Sequence, residues 1–182
     1  LKKSFSMALE REVISEMDRK RLITRGKKTL GDYFEYYQDR FVPPLDIERF
    51  FGYGWSKIYL GTVPLAGKID RIDLVSSNKV RVVDYKTGQP KSRKDIEGET
   101  AQSSGDYKRQ LVFYQLLGDL DERFKEEIVE LELDFVEQDK KTGKFRKEKF
   151  TISNEEVEEL KKIIRKVWSD ITELKFGRTE EI

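Results

Sequence analysis

GKIDRIDLVSSNKVRVVDYKTG, residues 67–88, decides the fold of this chain. Two runs rich in Ile and Val, with charges between them, flank the turn-forming Ser76, Ser77 and Asn78. This pattern predicts an antiparallel hairpin. On the second strand Asp84 and Lys86 are two residues apart, so both side chains point to one face. Asp70 lies on the first strand, where the pairing can bring it opposite Asp84. A carboxylate beside an ammonium on one strand face suits metal-assisted hydrolysis of a phosphodiester. Two acids would share Mg²⁺ or Mn²⁺, with the backbone carbonyl of Tyr85 as a third oxygen ligand. The lysine would orient or activate water, or neutralise charge building on the phosphate. Taken alone, an Asp-x-Lys pair on a strand is more often a surface ion pair, and Asp73 reads as a strand-end or turn residue.

Working outward, LDIERFF, SKIYL and PLAGKIDRIDLV are further short β-rich runs punctuated by Gly52, Gly54 and Gly61. Upstream, Phe5, Leu9, Val13 and Met17 predict an amphipathic helix over about 5–24. Leu30, Phe34, Tyr37 and Phe41 predict a second over about 27–40, which Pro43 and Pro44 stop. Downstream, about twenty residues after Lys86 lack apolar periodicity and read as a long loop, functional or disordered. A buried helix is expected over 106–117, then two strands around KKTGK. A last helix starts at a Ser153/Glu156 capping box, with a stripe of Val157, Leu160, Ile164, Val167, Ile171 and Leu174. The expected architecture is α/β: a central mixed β-sheet flanked by α-helices. Residues 1–182 form one domain in this reading, with a helical part over 1–44, the sheet and its helix over 45–152, and a C-terminal helix over 153–182.

Composition narrows the chemistry. Among 182 residues 39% are charged, yet 36 basic and 35 acidic side chains leave a net charge of only +1. Attraction to a polyanion must therefore come from local patches. With no cysteine and no histidine, disulfides, thiolate or imidazole metal sites, cysteine-held iron–sulfur clusters and Ser–His–Asp catalysis are excluded within this chain. GTVPLAGKI, residues 61–69, falls short of a phosphate-binding P-loop, because its spacing is one residue too long and Ile69 stands where Ser or Thr is needed. No apolar run approaches the length of a membrane span, and the acids of LKKSFSMALEREV argue against a signal peptide. The chain is expected to be a cytoplasmic piece of something longer, with no membrane partner.

On the 106–117 helix, Gln110 and Tyr114 are four apart and share a face with Tyr107. They suit holding a phosphate, a base or a metal-bound water, or they satisfy each other at the end of a core helix. Glu48 in DIERFF is a further carboxylate near the site, or an ion-paired surface acid. For DNA, Lys91, Arg93 and Lys94 follow the Lys86 strand without an intervening acid, and Lys108 with Arg109 opens the next helix. A mobile basic loop there would grip phosphates without reading sequence.

GKIDRID, VVDYKTG and QLVFY, in that order, resemble the RecB-type nucleases of the PD-(D/E)XK superfamily, and RGKKTLGDYFEYY with IERFF extends the likeness over most of the chain. It is nearest to the nuclease domain of UvrD-like and AddAB-type helicase–nucleases. The resemblance implies a restriction-endonuclease-like fold. It makes Asp70 and Asp84 metal-binding acids, with Lys86 the catalytic lysine. Gln110 and Tyr114 match a Q-x-x-x-Y motif that supports the active site and DNA, and Glu48 matches an upstream glutamate. It further implies a Mg²⁺- or Mn²⁺-dependent deoxyribonuclease hydrolysing phosphodiester bonds. The implied setting is an exonuclease domain attached to or partnered with a helicase in double-strand break repair and recombination. The alternative is a nuclease fold kept as a DNA-binding or subunit-interaction module. Two family features have no counterpart here, an early histidine and a cysteine-held iron–sulfur cluster.

Overall fold

The computed structural model describes residues 2–52 and 57–175. Gly54 and residues 176–182 lie outside them. Helices α1 (Lys2–Glu10) and α2 (Glu16–Tyr37) are followed by a 3₁₀ turn over Gln38–Arg40. Strands β1 (Asp46–Phe51), β2 (Ile58–Leu60), β3 (Val63–Leu65), β4 (Gly67–Ser76) and β5 (Lys79–Lys86) come next. Then follow α3 (Arg93–Glu97), α4 (Asp106–Leu120), β6 (Glu127–Phe135), β7 (Arg146–Phe150) and α5 (Asn154–Thr172).

Five strands form one sheet in the order β1-β4-β5-β6-β7, and β2 pairs with β3 in a small hairpin. β4 is antiparallel to both β1 and β5, and the β4–β5 hairpin slips register between Leu74 and Ser76. At one end of β6 the Glu127 N–H donates to the Asn78 carbonyl, and beyond its other end Val136 donates to Lys86. β6 thus runs parallel to β5, which makes the sheet mixed, as expected, and helices flank it.

The chain divides into two compact units. One comprises Leu1–Pro43, Tyr85–Pro90 and Leu133–Glu148; the other holds Pro44–Asp84, Lys91–Glu132 and Lys149–Ile182. In the second, Ile69, Ile72, Val80 and Val82 from the sheet are fully buried, as are Leu111, Leu116 and Leu117 of α4. In the first, Tyr33, Tyr37 and Val136 form a small aromatic core with Tyr85 and Phe145 against it.

Both N-terminal helices differ from the expected boundaries. The first ends at Glu10 rather than near residue 24, because the Ser15 hydroxyl accepts the Asp18 N–H and starts a new helix there. That helix runs straight through Gly26, where Phe5 of α1 fills the space a Cβ would take. The glycine is a packing site rather than a break. The irregular loop expected after Lys86 contains α3, capped by a reciprocal Ser92–Asp95 box and closed by Gly98 in the left-handed conformation at φ 80°. Ile96 in it is fully buried, a lone apolar anchor that periodicity could not register. The Ser153/Glu156 box is present as expected. Of the expected stripe, Val157 and Leu160 are buried and Val167 and Ile171 exposed, while Leu174 lies past the end of α5 at Thr172, with φ 54°.

Asp73 is neither at a strand end nor in a turn. It is buried mid-strand, 2.7 Å from Arg71 and 4.0 Å from Arg81. Arg81 continues to Glu132 at 3.4 Å, and Glu132, 2% exposed, also has Lys149 at 3.8 Å. A row of alternating charges therefore crosses four strands, each buried acid matched by a base, as burial of charge requires.

Candidate active site

The β4–β5 register pairs Ile72 with Val82 and Arg71 with Val83. One step further in the same register come Asp70 and Asp84. On the other side of β4, Ile47 pairs with Arg71 and Arg49 with Ile69, so Glu48 stands across from Asp70. Three acids on three successive strands thus occupy one row of the sheet. Glu48 departs from strand geometry, with φ 53°, a left-handed conformation uncommon for a non-glycine residue.

Burial grades along this row. Asp84 is 3% exposed, Asp70 is half-buried, and the Glu48 side chain is largely exposed. Lys68, two residues before Asp70 on the same face of β4, holds Glu48 in an ion pair. The charges of Glu48 and Asp70 push the Lys68 ammonium above its ordinary pKa, the hydrogen bond to Glu48 contributing most. The surface ion-pair reading of Glu48 therefore describes this structure. Among the described residues no three Asp or Glu side chains assemble into a metal-holding group.

Asp84 is oriented from above the sheet. The Gln110 amide donates to the Tyr114 hydroxyl at 2.9 Å, and that hydroxyl donates to Oδ1 of Asp84 at 2.9 Å. The i,i+4 spacing on α4 stacks the glutamine behind the tyrosine. Burial raises the Tyr114 pKa well above the ordinary phenol value, and the Asp84 and Asp70 charges add to it. The hydroxyl stays protonated and remains a donor. The Tyr107 ring lies 4.2 Å from the Lys91 ammonium.

Lys86 ends β5, half-buried, and strand alternation puts it on the same side of that strand as Asp84. The neighbouring Tyr85 sets its ring edge-on to Tyr33 at 6.5 Å. Of the basic residues proposed for DNA, Arg93 and Lys108 are engaged by neighbouring groups in this structure. Arg93 pairs with Glu97 at 2.9 Å, donates to the Lys149 carbonyl at 2.7 Å and lies 3.8 Å from the Phe150 ring. Lys108 pairs with Glu156 at 2.9 Å and also sits over Phe150. Lys94 is exposed in the last turn of α3. The sequence reading passed over Lys68, although its i,i+2 spacing to Asp70 was the available signal.

The chain matches the PD-(D/E)XK nuclease superfamily over residues 3–181 and belongs to that superfamily. It is thus of a class of nucleases, enzymes that hydrolyse phosphodiester bonds. Among solved structures it is similar to one described as "Crystal structure of SSO0001", at 13% identity and a TM-score of 0.43. That likeness covers 91% of this chain and 69% of the other. No curated protein matches. No helix among the described residues is long and apolar enough to cross a membrane.

Proposed function

We propose that this chain is a divalent-metal-dependent deoxyribonuclease, the exonuclease domain of a RecB-like helicase–nuclease that processes DNA ends in double-strand break repair. The observation that carries the reading is the Gln110–Tyr114–Asp84 chain of hydrogen bonds. A buried carboxylate held by a donor that stays protonated is oriented before any ligand arrives.

The donor set fits a hard cation. Asp70 and Asp84 offer carboxylate oxygens at adjacent register positions, with no thiolate or imidazole to favour a softer metal. Two protein carboxylates suit Mg²⁺ or Mn²⁺, which keep several waters. When bound, such an ion supplies Lewis-acid stabilisation of the phosphate and lowers the pKa of water. Within the chain itself, Tyr114 fixes the Asp84 carboxylate, Asp70 adds the second negative charge, and Lys86 brings an ammonium to the scissile phosphate. Arg93, Lys94, Lys91 and Lys108 supply sequence-independent phosphate attraction, weakened where Glu97 and Glu156 already engage them.

One observation favours a second reading, a nuclease fold that grips DNA without turnover. Glu48 is engaged by Lys68, and no three acids converge among the described residues. Digestion of end-labelled single- and double-stranded DNA with Mn²⁺ separates the two. Cleavage lost in EDTA and in Lys86→Ala is expected. Cleavage that survives Lys86→Ala overturns the assignment, and DNA binding without any cleavage establishes the second reading.

A further inference from the structure

We infer that the end of α2 carries a second nucleic-acid site, a stacking platform for single-stranded DNA built from Phe34, Tyr36 and Phe41. The inference rests on the nuclease reading for its choice of DNA, but its observations are separate from the acid row. Phe34 and Phe41 stack on each other at 5.9 Å and 24°, yet remain 46% and 41% exposed. Tyr36 is 51% exposed, with Phe145 behind it at 5.0 Å and the Arg40 guanidinium 5.2 Å from its ring. Three large rings half in water, each braced by another aromatic, are expensive to leave uncovered in a soluble domain.

Two further features select the ligand. A groove of about 380 Å³ opens beside Phe34, lined by Lys2, Leu30, Gly31 and Glu35. The Lys2 ammonium reaches across Gly31, so an apolar wall and a cation share one concavity. Charge is also divided unevenly. The unit that bears these rings has 16 Lys and Arg against 11 Asp and Glu, a net of +5, whereas the rest of the chain has 20 against 24, a net of −4. The chain's near-neutral total conceals a basic unit. Glu35 and Asp39 are the acids on the platform's own segment, and Arg40 lies beside Asp39 in sequence. Rings with open faces beside cations, in a unit of positive charge, match an unpaired strand, whose bases can leave their stack and lie on aromatic faces while phosphates meet the ammonium and guanidinium groups. A duplex keeps its bases stacked inside and offers the rings nothing.

The test is fluorescence polarisation of a labelled oligo(dT) 20-mer in EDTA, where no cleavage occurs, beside a hairpin duplex of equal charge. Phe34→Ala/Phe41→Ala is expected to weaken single-strand binding about tenfold or more and to leave duplex binding nearly unchanged. Phe34→Trp should retain affinity, and its emission should be quenched by the oligonucleotide. Arg40→Ala should reduce the slope of log K against log salt by about one contact. A folded double-alanine variant that binds the 20-mer as tightly as wild type overturns the platform and assigns the rings to a protein interface. If wild type cleaves DNA while that variant binds normally, only the platform fails. If wild type neither binds nor cleaves DNA, the nuclease reading itself has failed.

Discussion

The Tyr114 hydroxyl and the Asp84 carboxylate are 2.9 Å apart, and both residues are almost wholly buried. A buried carboxylate is costly unless its oxygens are met by donors. Here the donor comes from α4, the carboxylate from β5, and the Gln110 amide donates in turn to the tyrosine. The helix thus sets the direction in which Asp84 presents its second oxygen.

Tyr114→Phe removes one hydroxyl and nothing else. The carboxylate then loses a charge-assisted hydrogen bond in a buried place, at a cost of about 1.5–3 kcal/mol of folding stability. Urea unfolding should show this loss, and Mn²⁺ affinity should fall with it, because the Tyr114 hydroxyl no longer fixes the Asp84 carboxylate. Gln110→Ala, which removes the amide that holds the Tyr114 hydroxyl, should give the smaller change in both. Unchanged stability in Tyr114→Phe would mean the hydrogen bond is not made.

The same tyrosine predicts a pH dependence. Burial and the two aspartates raise its pKa in the fold above the ordinary 10.0. The folded value exceeds the unfolded one, so the stabilisation is complete below about pH 10 and declines as pH rises past it. Wild type should lose up to about 1.4 kcal/mol per pH unit through this group. Tyr33, buried and hydrogen-bonded to Asp134, is shifted the same way. Unfolding free energies measured from pH 8 to 11 should fall more steeply for wild type than for Tyr114→Phe. Parallel curves would remove the titration argument.

Lys68 competes with any cation for the acid row. Its ammonium holds Glu48 and is attracted by Asp70. Lys68→Met should therefore tighten Mn²⁺ binding several-fold, measured by calorimetry or by the free Mn²⁺ signal in electron paramagnetic resonance. The pair is exposed, so its own contribution to stability is small, and the thermal midpoint should hardly move. Weaker Mn²⁺ binding in Lys68→Met would show that the lysine supports the row rather than competing with it.

The Asp84–Lys86 strand, its hairpin with the Asp70 strand and the Gln110–Tyr114 pair were legible because each depends on a short periodicity of two or four residues. What escaped depends on contacts between distant segments. Nothing local to α3 signals that Ile96 is an anchor. Asp73 looks like a turn residue until Arg71 and Arg81 are seen to flank it on β4 and β5. For Tyr114 the sequence leaves open whether the hydroxyl serves a substrate or its own neighbours, because a hydroxyl on a helix does not disclose that the strand beneath it carries a buried acid. The division of charge between the two units was hidden by their interleaving along the chain.

Gly26 shows how a helix propensity rule is overridden by packing. Replacing a mid-helix glycine with alanine ordinarily stabilises by about 1 kcal/mol. A Cβ built at Gly26 would collide with Cζ and Cε1 of Phe5, so the ring must leave its seat on α2. Much of what holds α1 against α2 leaves with it, since α1 has no buried residue of its own. Gly26→Ala should therefore raise amide exchange across residues 2–10 at least tenfold, while α2 stays helical by circular dichroism. With the ring already removed, the helix gain should reappear, so Phe5→Ala/Gly26→Ala should be about 1 kcal/mol more stable than Phe5→Ala alone. If Gly26→Ala by itself shows the full gain with exchange in α1 unaltered, Phe5 does not rest on the glycine and the two helices are held together by other contacts.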